Sequence, residues 1–201
     1  CLFPRCLPGL PVALSSIAVS SRALLKLGGN TISGFEEGTA ESQIAGTLYG
    51  STRDALISAY PWSFATAQRR LAQLSAGPTA DYAYAYQLPG DFLRALSAGQ
   101  SGRGRGVDYR IAERRLHTDA QEITLTYIFR PQESETPPYF DQVLISRLAA
   151  EFVLPLTEST SRSELLHKLA EDEFRRGRLV DAQQDQPPRF EDFSLIEVRT
   201  Q

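Results

Sequence analysis

Residues 82–89 read Tyr-Ala-Tyr-Ala-Tyr-Gln-Leu-Pro, with an aromatic ring at every second position from 82 to 86. Side chains of an extended chain point alternately to opposite faces, so only a β-strand places these three rings on one side. The segment follows residues 52–64, Thr-Arg-Asp-Ala-Leu-Ile-Ser-Ala-Tyr-Pro-Trp-Ser-Phe, a helical string that closes on a proline–aromatic corner. Together the two segments mark the point where an all-helical unit passes into a sheet.

Residues 14–78 are predicted to form N-terminal helices. Apolar residues recur every three to four positions from Leu14 to Leu25, which is the helical period, before a Gly-Gly-Asn sequence ends the first helix. A second helix is expected to begin near Thr39, with an acidic residue in its first turn. The helical segment is expected to continue through the Arg-Arg-Leu at 69–71.

Residues 79–132 are predicted to form an inserted antiparallel β-sheet or barrel lobe. Besides the tyrosine strand, residues 107–111 alternate in polarity, and residues 123–129 are rich in β-branched and aromatic types. A flexible loop is expected at 100–106 and a hairpin turn at 117–120. The aromatic residues predicted to belong to the structural core are Trp62, Phe64, Tyr82, Tyr84 and Tyr86.

Residues 137–184 are predicted to return to helix. Pro155 is expected to kink or end the first of these helices, and Ser161 with Glu164 forms a capping box at the start of the last one. Apolar residues spaced four apart identify the first helix: Phe140, Leu144, Leu148 and Phe152. The predicted apolar face of the last helix consists of Leu165, Leu166, Leu169, Ala170 and Phe174.

The two ends of the chain differ from the rest. Residues 1–13 contain three prolines and are expected to be a disordered leader, and residues 185–201 are expected to form an extended docking tail. The candidate docking residues of that tail are its apolar side chains, which could add a strand to a partner or fill a groove on it: Phe190, Phe193, Leu195, Ile196 and Val198. The predicted fold class is therefore α+β: a four-helix bundle-like unit of two N-terminal and two C-terminal helices, with an inserted antiparallel β lobe and an extended C-terminal tail.

Composition is that of a soluble globular protein. The chain of 201 residues is 42% hydrophobic and 22% charged, and its net charge of −3 lacks the basic excess typical of proteins that grip nucleic acid. Cys1 and Cys6 match no metal or redox spacing. The sequence contains no apolar run of the roughly 20 residues that span a bilayer, so no membrane partner is expected.

Few residues offer chemistry, so no catalytic residue, cofactor site or metal site is predicted. The two histidines, His117 and His167, have no nucleophile motif beside them. Glu133 and Glu135 form a carboxylate pair of the kind that hydrolyses glycosides in a cleft, but a solvated loop is the favoured interpretation. The Gly-x-Gly-x-Gly at 102–106 lacks the following helix and the Lys-Ser/Thr of a phosphate loop.

The tyrosine strand has two interpretations. Its rings could stack single-stranded bases, helped by Arg103, Arg105, Arg110, Arg114 and Arg115. Base stacking needs positive charge nearby, however, and Asp81 and Asp91 flank the strand. Packing of the rings into the core of the lobe or against a neighbouring subunit is therefore favoured.

An ordered set of motifs resembles the tail tubular protein A family, the head-to-tail adaptors of short-tailed phages. The match runs in order from residue 14 to residue 185 and leaves both ends of the chain outside it. The matching motifs are Leu24-Leu25-Lys26-Leu27-Gly28, Leu48-Tyr49, Thr52-Arg53-Asp54, Pro61-Trp62, the tyrosine strand, Glu113-Arg114-Arg115-Leu116 with Thr118-Asp119, Leu125-Thr126-Tyr127-Ile128, and Leu148-Ala149-Ala150-Glu151 leading to Leu156-Thr157.

This resemblance implies a structural virion protein, assembled in the host cytoplasm and located in the neck of the particle, with the portal as the partner of the docking tail. No enzymatic activity is expected, because the chain presents no residues that can be assigned to catalysis. The resemblance also implies a homo-oligomeric ring, twelve-fold in the family, that contacts the portal protein and the tail nozzle protein. Double-stranded DNA would pass through the ring without specific binding. Two other classes stay open: a cell-wall-degrading glycan hydrolase of the tail, and a nucleic-acid-binding module.

Overall fold

The computed structural model describes residues 14–78, 81–101 and 103–184 and has a mixed α+β fold, which confirms the predicted class. The helices are α1 (Ser16–Lys26), α2 (Ala40–Ala59), α3 (Pro138–Thr157) and α4 (Thr160–Ala182). The strands are β1 (Thr66–Arg70), β2 (Tyr84–Gln87), β3 (Phe92–Gly99), β4 (Arg110–Ala112), β5 (Arg115–Thr118) and β6 (Thr124–Phe129). The predicted leader and docking tail, including Phe190, Phe193, Leu195, Ile196 and Val198, lie outside the described residues.

Helix α3 is the element around which the other helices pack. Eleven of its twenty residues are buried, and α1, α2 and α4 each contact it. This burial on several faces explains why α3 is apolar around most of its circumference rather than along one stripe. The helix continues past Pro155 and ends at Thr157, where Glu158 adopts a left-handed conformation with φ of 54°.

Side-chain caps set the starts of the other helices. The Thr39 hydroxyl accepts a hydrogen bond from the Ser42 amide, which confirms the predicted start of α2. At α4 the cap is Ser159, whose hydroxyl accepts from the Arg162 amide. The capping box predicted at Ser161 is therefore wrong, because the reversal at the left-handed residue 158 starts the new helix two residues earlier.

The strands form two three-stranded antiparallel sheets, ordered β1-β6-β3 and β2-β5-β4. Strand β1 pairs with β6 from Thr66↔Ile128 to Arg70↔Thr124, so the helix predicted to continue through residues 69–71 is wrong. Local pattern favours neither state strongly there, and pairing with a strand more than fifty residues away decides it. Strands β3 and β5 were not predicted from the sequence.

The turn predicted at 117–120 is also wrong. His117 and Thr118 belong to β5, and the β4–β5 hairpin turns at Glu113 and Arg114, with φ of 51° and 58°. Two consecutive positive φ angles are those of a tight hairpin turn that matches the twist of the strands. Neither residue is of the type that normally marks such a turn, so the sequence carried no signal for it.

Buried apolar residues divide into a cluster among the helices and a cluster between the sheets. Trp62 is fully buried in the first cluster, and Tyr86 is buried in the second. Phe64 and Tyr84 are partly buried and pack against these clusters, and Tyr82 is half-buried. In the part of the chain that the structure describes, no helix is both long and apolar enough to cross a membrane.

Gly177 lets α4 approach α3 closely. A Cβ added at Gly177 would lie 2.6 Å from Val143 Cγ2 and 3.5 Å from the Trp62 ring, whereas one at Gly50, on α2, would meet nothing within 4 Å. We expect Gly177→Ala to lower the free energy of unfolding by about 1–3 kcal/mol through overpacking. Gly50→Ala is the matched control and should raise it by up to about 1 kcal/mol, because alanine is the better helix former. Chemical denaturation measures both, and equal effects at the two sites would contradict the close approach.

Candidate functional site

The proline–aromatic corner joins the ends of α2 and α4. The Trp62 indole N–H donates to the Leu56 carbonyl at 3.0 Å, and five aromatic rings lie within 6.4 Å of its ring, centroid to centroid. These rings belong to Tyr60, Phe64, Tyr139, Phe140 and Phe174. Trp62 is thus the centre of an aromatic cluster formed by the corner, α3 and α4.

Asp181 closes the corner from the other side. Its buried carboxylate accepts hydrogen bonds from the Ser63 amide at 3.0 Å, the Ser63 hydroxyl at 2.7 Å and the Tyr139 hydroxyl at 2.6 Å. Burial, reinforced by this bond to Asp181, raises the pKa of Tyr139 to about 12. Sequence reasoning missed Asp181. A signal was available, because Asp181 lies in the last turn of α4, where the helix dipole disfavours a negative charge. A carboxylate at such a position indicates a stabilising tertiary contact.

A second polar cluster connects α2 to the segment before α3. Arg53 binds the Glu133 carboxylate at 3.1 Å, and the Tyr49 hydroxyl donates to the same oxygen at 3.3 Å. Arg130 binds Asp54 at 3.0 Å. Burial, with the Glu133 charge as the next cause, raises the pKa of Tyr49. The cluster holds residues 130–133, which follow β6, against helix α2.

An open groove of about 400 Å³ lies between α2 and α4, with α3 beside it. Its lining includes the α2 residues Leu48, Ala55, Leu56 and Ala59 and the α4 residues Ala170 and Phe174. The α3 contribution is the Arg147–Glu151 ion pair, with Nε and Oε1 3.0 Å apart. We call this feature the α2–α4 groove. Its apolar flanks and charged pair suit a protein surface better than they suit a small charged ligand.

The outward side of α4 carries a second apolar feature. Leu165, Leu169 and Leu179 are 58%, 49% and 67% exposed, and Val180 is 41% exposed. The predicted apolar face of α4 is therefore wrong for Leu165 and Leu169, since Ala170 is buried and Leu166 and Phe174 are the partly buried residues that pack on the core. We call these four exposed residues the α4 stripe.

The two candidate catalytic carboxylates, Glu133 and Glu135, both accept hydrogen bonds from other groups of this protein. Glu133 is the acceptor for Arg53 and Tyr49, and the Glu135 carboxylate accepts from the Gln132 amide at 3.0 Å. Both carboxylates therefore stabilise the short 3-10 turn Glu133–Glu135 and its contact with α2. Among the residues described, no cluster of three or more His, Cys, Asp or Glu could hold a metal ion.

The tyrosine strand does not present an open row of rings. Tyr86 is buried and its hydroxyl donates to the Ala120 carbonyl at 2.7 Å, while Tyr84 accepts from Gln121 at 3.3 Å. Burial raises the pKa of Tyr86. Tyr86 therefore packs inside the sheet region and Tyr84 packs partly against it, while Tyr82 is only half-buried.

The described residues of the glycine–arginine loop fold back on the first sheet. The Gly104 carbonyl accepts from the hydroxyls of Ser97 at 2.7 Å and Thr126 at 3.1 Å. A Cβ on Gly99 would lie 1.9 Å from the Arg103 carbonyl oxygen, so only glycine permits this approach. The Arg103 and Arg105 side chains remain exposed beside it.

Comparison with protein-family models and with curated proteins gave no match for this chain.

Proposed function

We propose that this protein is a structural subunit of a head-to-tail adaptor ring in a phage virion, joining the portal to the tail nozzle. The ordered motifs from residue 14 to residue 185 support the proposal at the level of sequence. The α+β fold supports it further, because the strands lie between α2 and α3 in the chain, in line with the inserted lobe predicted from the sequence. Within this proposal α3 and the three helices that pack around it form the bundle-like unit that builds the ring, and the sheets form the inserted lobe.

The α2–α4 groove is the observation that carries the proposal. A closed ring is built from heterologous contacts, in which one patch of each subunit meets a different patch of the next. A concave apolar surface with a charged pair at one side is suited to the receiving half of such a contact. In this arrangement subunits contribute through shape and apolar burial, so no reacting group is needed.

The net charge of the chain supports the role of a DNA conduit. Net charge for the whole chain is −3, and this excess is repeated in every copy of a ring. A negative wall repels phosphates over distances comparable with the Debye length, about 8–10 Å at physiological salt. Double-stranded DNA would therefore pass through the lumen without being retained.

Removal of residues 185–201 tests the docking role of the tail. We expect the truncated protein to keep its melting temperature, since both buried apolar clusters are formed by residues before 185, and to lose binding to purified portal rings. The measurement is co-sedimentation with portal, followed by electron microscopy of the full-length mixture. The matched control is a full-length variant in which only the five apolar tail residues are changed to serine, because it removes the apolar side chains without shortening the chain.

Two outcomes separate the tail from the ring. Unchanged binding of the truncated protein to portal would refute the docking role alone. A full-length protein that forms no ring, either by itself or with portal and nozzle present, would refute the adaptor function as a whole.

A further inference from the structure

The α4 stripe follows a spacing that a partner helix can occupy. One face of α4 has residues at intervals of four, three, four and three, which is the spacing of a coiled-coil seam. These residues are Leu165, Leu169, Asp172, Arg176 and Leu179. This seam lies on the side of α4 opposite to Ala170, Gly177 and Asp181, the residues that are buried against the rest of the subunit. α4 therefore has one face in the core and a second, separate face that is open to solvent.

The charges along the seam specify the partner. Residues 171–173 are Glu-Asp-Glu and residues 175–176 are Arg-Arg, so an acidic block precedes a basic block about Phe174. A second copy of α4 laid parallel would place like charges together. Laid antiparallel about residue 174, it brings Asp172 against Arg176 of the other copy on both sides of the two-fold axis.

The same register pairs the apolar residues. A two-fold axis near residue 174 places Leu169 opposite Leu179 of the other copy on both sides of the axis. The charged centre is then flanked by leucine pairs, and polar seam residues are known to select register and orientation at some cost in affinity. The antiparallel arrangement also opposes the two helix dipoles favourably.

We propose that the outward face of α4 binds the same face of a second copy of this chain, forming an antiparallel, two-fold symmetric helix pair. Such a contact closes on itself and gives a dimer. It is therefore a contact additional to the head-to-tail contacts of the proposed ring, which require two different surfaces, and it does not depend on the adaptor function. Helix α4 is 23 residues long, about 34 Å, which allows both leucine pairs to engage.

Register-specific cross-linking tests the pairing. In a full-length background with Cys1 and Cys6 changed to serine, Leu169→Cys and Leu179→Cys proteins are prepared separately and then mixed under mild oxidation. We expect a disulfide between the two variants and at least tenfold less in either variant alone. In the proposed register two copies of residue 169 lie about 15 Å apart, beyond the roughly 7 Å that a disulfide spans between Cα atoms.

Charge reversal tests the orientation by an independent measurement. Asp172→Arg alone should raise the dissociation constant of the dimer about tenfold in sedimentation equilibrium, because it places like charges at two symmetric positions. The double variant Asp172→Arg with Arg176→Asp should restore the affinity. Thermal melts of the dilute proteins control for the ion pairs that these residues make within α4, Asp172–Arg175 and Glu173–Arg176.

Each contrary outcome overturns the proposal. Efficient cross-linking of Leu169→Cys with itself would show a parallel pair. A wild-type protein that stays monomeric at about 100 μM, a concentration at which even weak specific dimers form, would exclude the dimer. If Leu169→Cys or Leu179→Cys lost portal binding without any change in self-association, the α4 stripe would be assigned to the portal instead. Ring formation with portal is scored separately, so failure of the dimer leaves the adaptor function standing.

Discussion

Replacing Trp62 with alanine is expected to lower the free energy of unfolding by about 3–5 kcal/mol. The indole is fully buried, contacts five aromatic rings, and donates to the Leu56 carbonyl at the end of α2. Its removal leaves a cavity where the corner, α3 and α4 meet, and rigid neighbouring rings cannot collapse to fill it. Chemical denaturation followed by circular dichroism measures the change, because Trp62 is the only tryptophan and its fluorescence is lost with it.

Trp62→Phe is the matched control. Phenylalanine keeps an aromatic ring in the cluster but loses the N–H donor, so the Leu56 carbonyl loses one partner and part of the volume empties. We expect a loss of about 1–3 kcal/mol, clearly smaller than for alanine. A Trp62→Ala protein as stable as the wild type would mean that Trp62 is not in the core and belongs to a contact surface.

The second large effect is expected at Asp181. Its carboxylate accepts three hydrogen bonds, from the Ser63 amide and hydroxyl and from Tyr139, at the end of α4. Asp181→Ala should lower the free energy of unfolding by about 2–3 kcal/mol, because bonds to a charged acceptor are lost and partly buried donors are left unpaired. Urea denaturation measures the loss. Glu164→Ala is the control at an exposed position of the same helix, outside the proposed seam, and should change stability by no more than about 0.5 kcal/mol.

The titration of Tyr139 provides a readout that general destabilisation does not move. Its pKa of about 12 in the folded protein lies above the ordinary value of 10.0, mainly because of burial and then because of the Asp181 bond. The folded state therefore favours the neutral phenol, and this stabilisation is fully present below pH 10 and is lost as the pH rises through 12. In Asp181→Ala the pKa should fall only part of the way, since burial remains. Tyrosinate absorbance follows it, and an unchanged titration would contradict the assigned hydrogen bond.

Much of the helical part could be predicted because its signals are local. The starts of α2 and α3, and the return to helix after the double proline, follow from caps, proline and apolar period within a few residues. The tyrosine strand and β6 could be predicted for the same reason, from alternation and β-branched composition. Helices and strands were predicted correctly where the hydrophobic periodicity and the residue composition both indicated the same structure.

The errors occur where distant contacts decide. Residues 66–70 become a strand because β6 offers an edge for pairing, and Leu165 and Leu169 are exposed because only one side of α4 rests on α3. A helical period shows that an apolar face exists, but it does not show which of two apolar faces meets the core. A carboxylate in the last turn of a helix marks Asp181 as unusual, but the sequence does not identify its three donors, which come from residues more than forty positions away.

The sequence by itself determined the α+β class, the four helices and the absence of a recognisable reaction motif, since periodicity, caps and composition act over a few neighbouring residues. Only the tertiary structure decided that the corner at Trp62 is tied to Asp181, that a groove opens between α2 and α4, and that α4 keeps a second apolar face in solvent. These features depend on which surfaces meet after the chain has folded, and that choice is made by the total burial and hydrogen bonding of segments far apart in the chain.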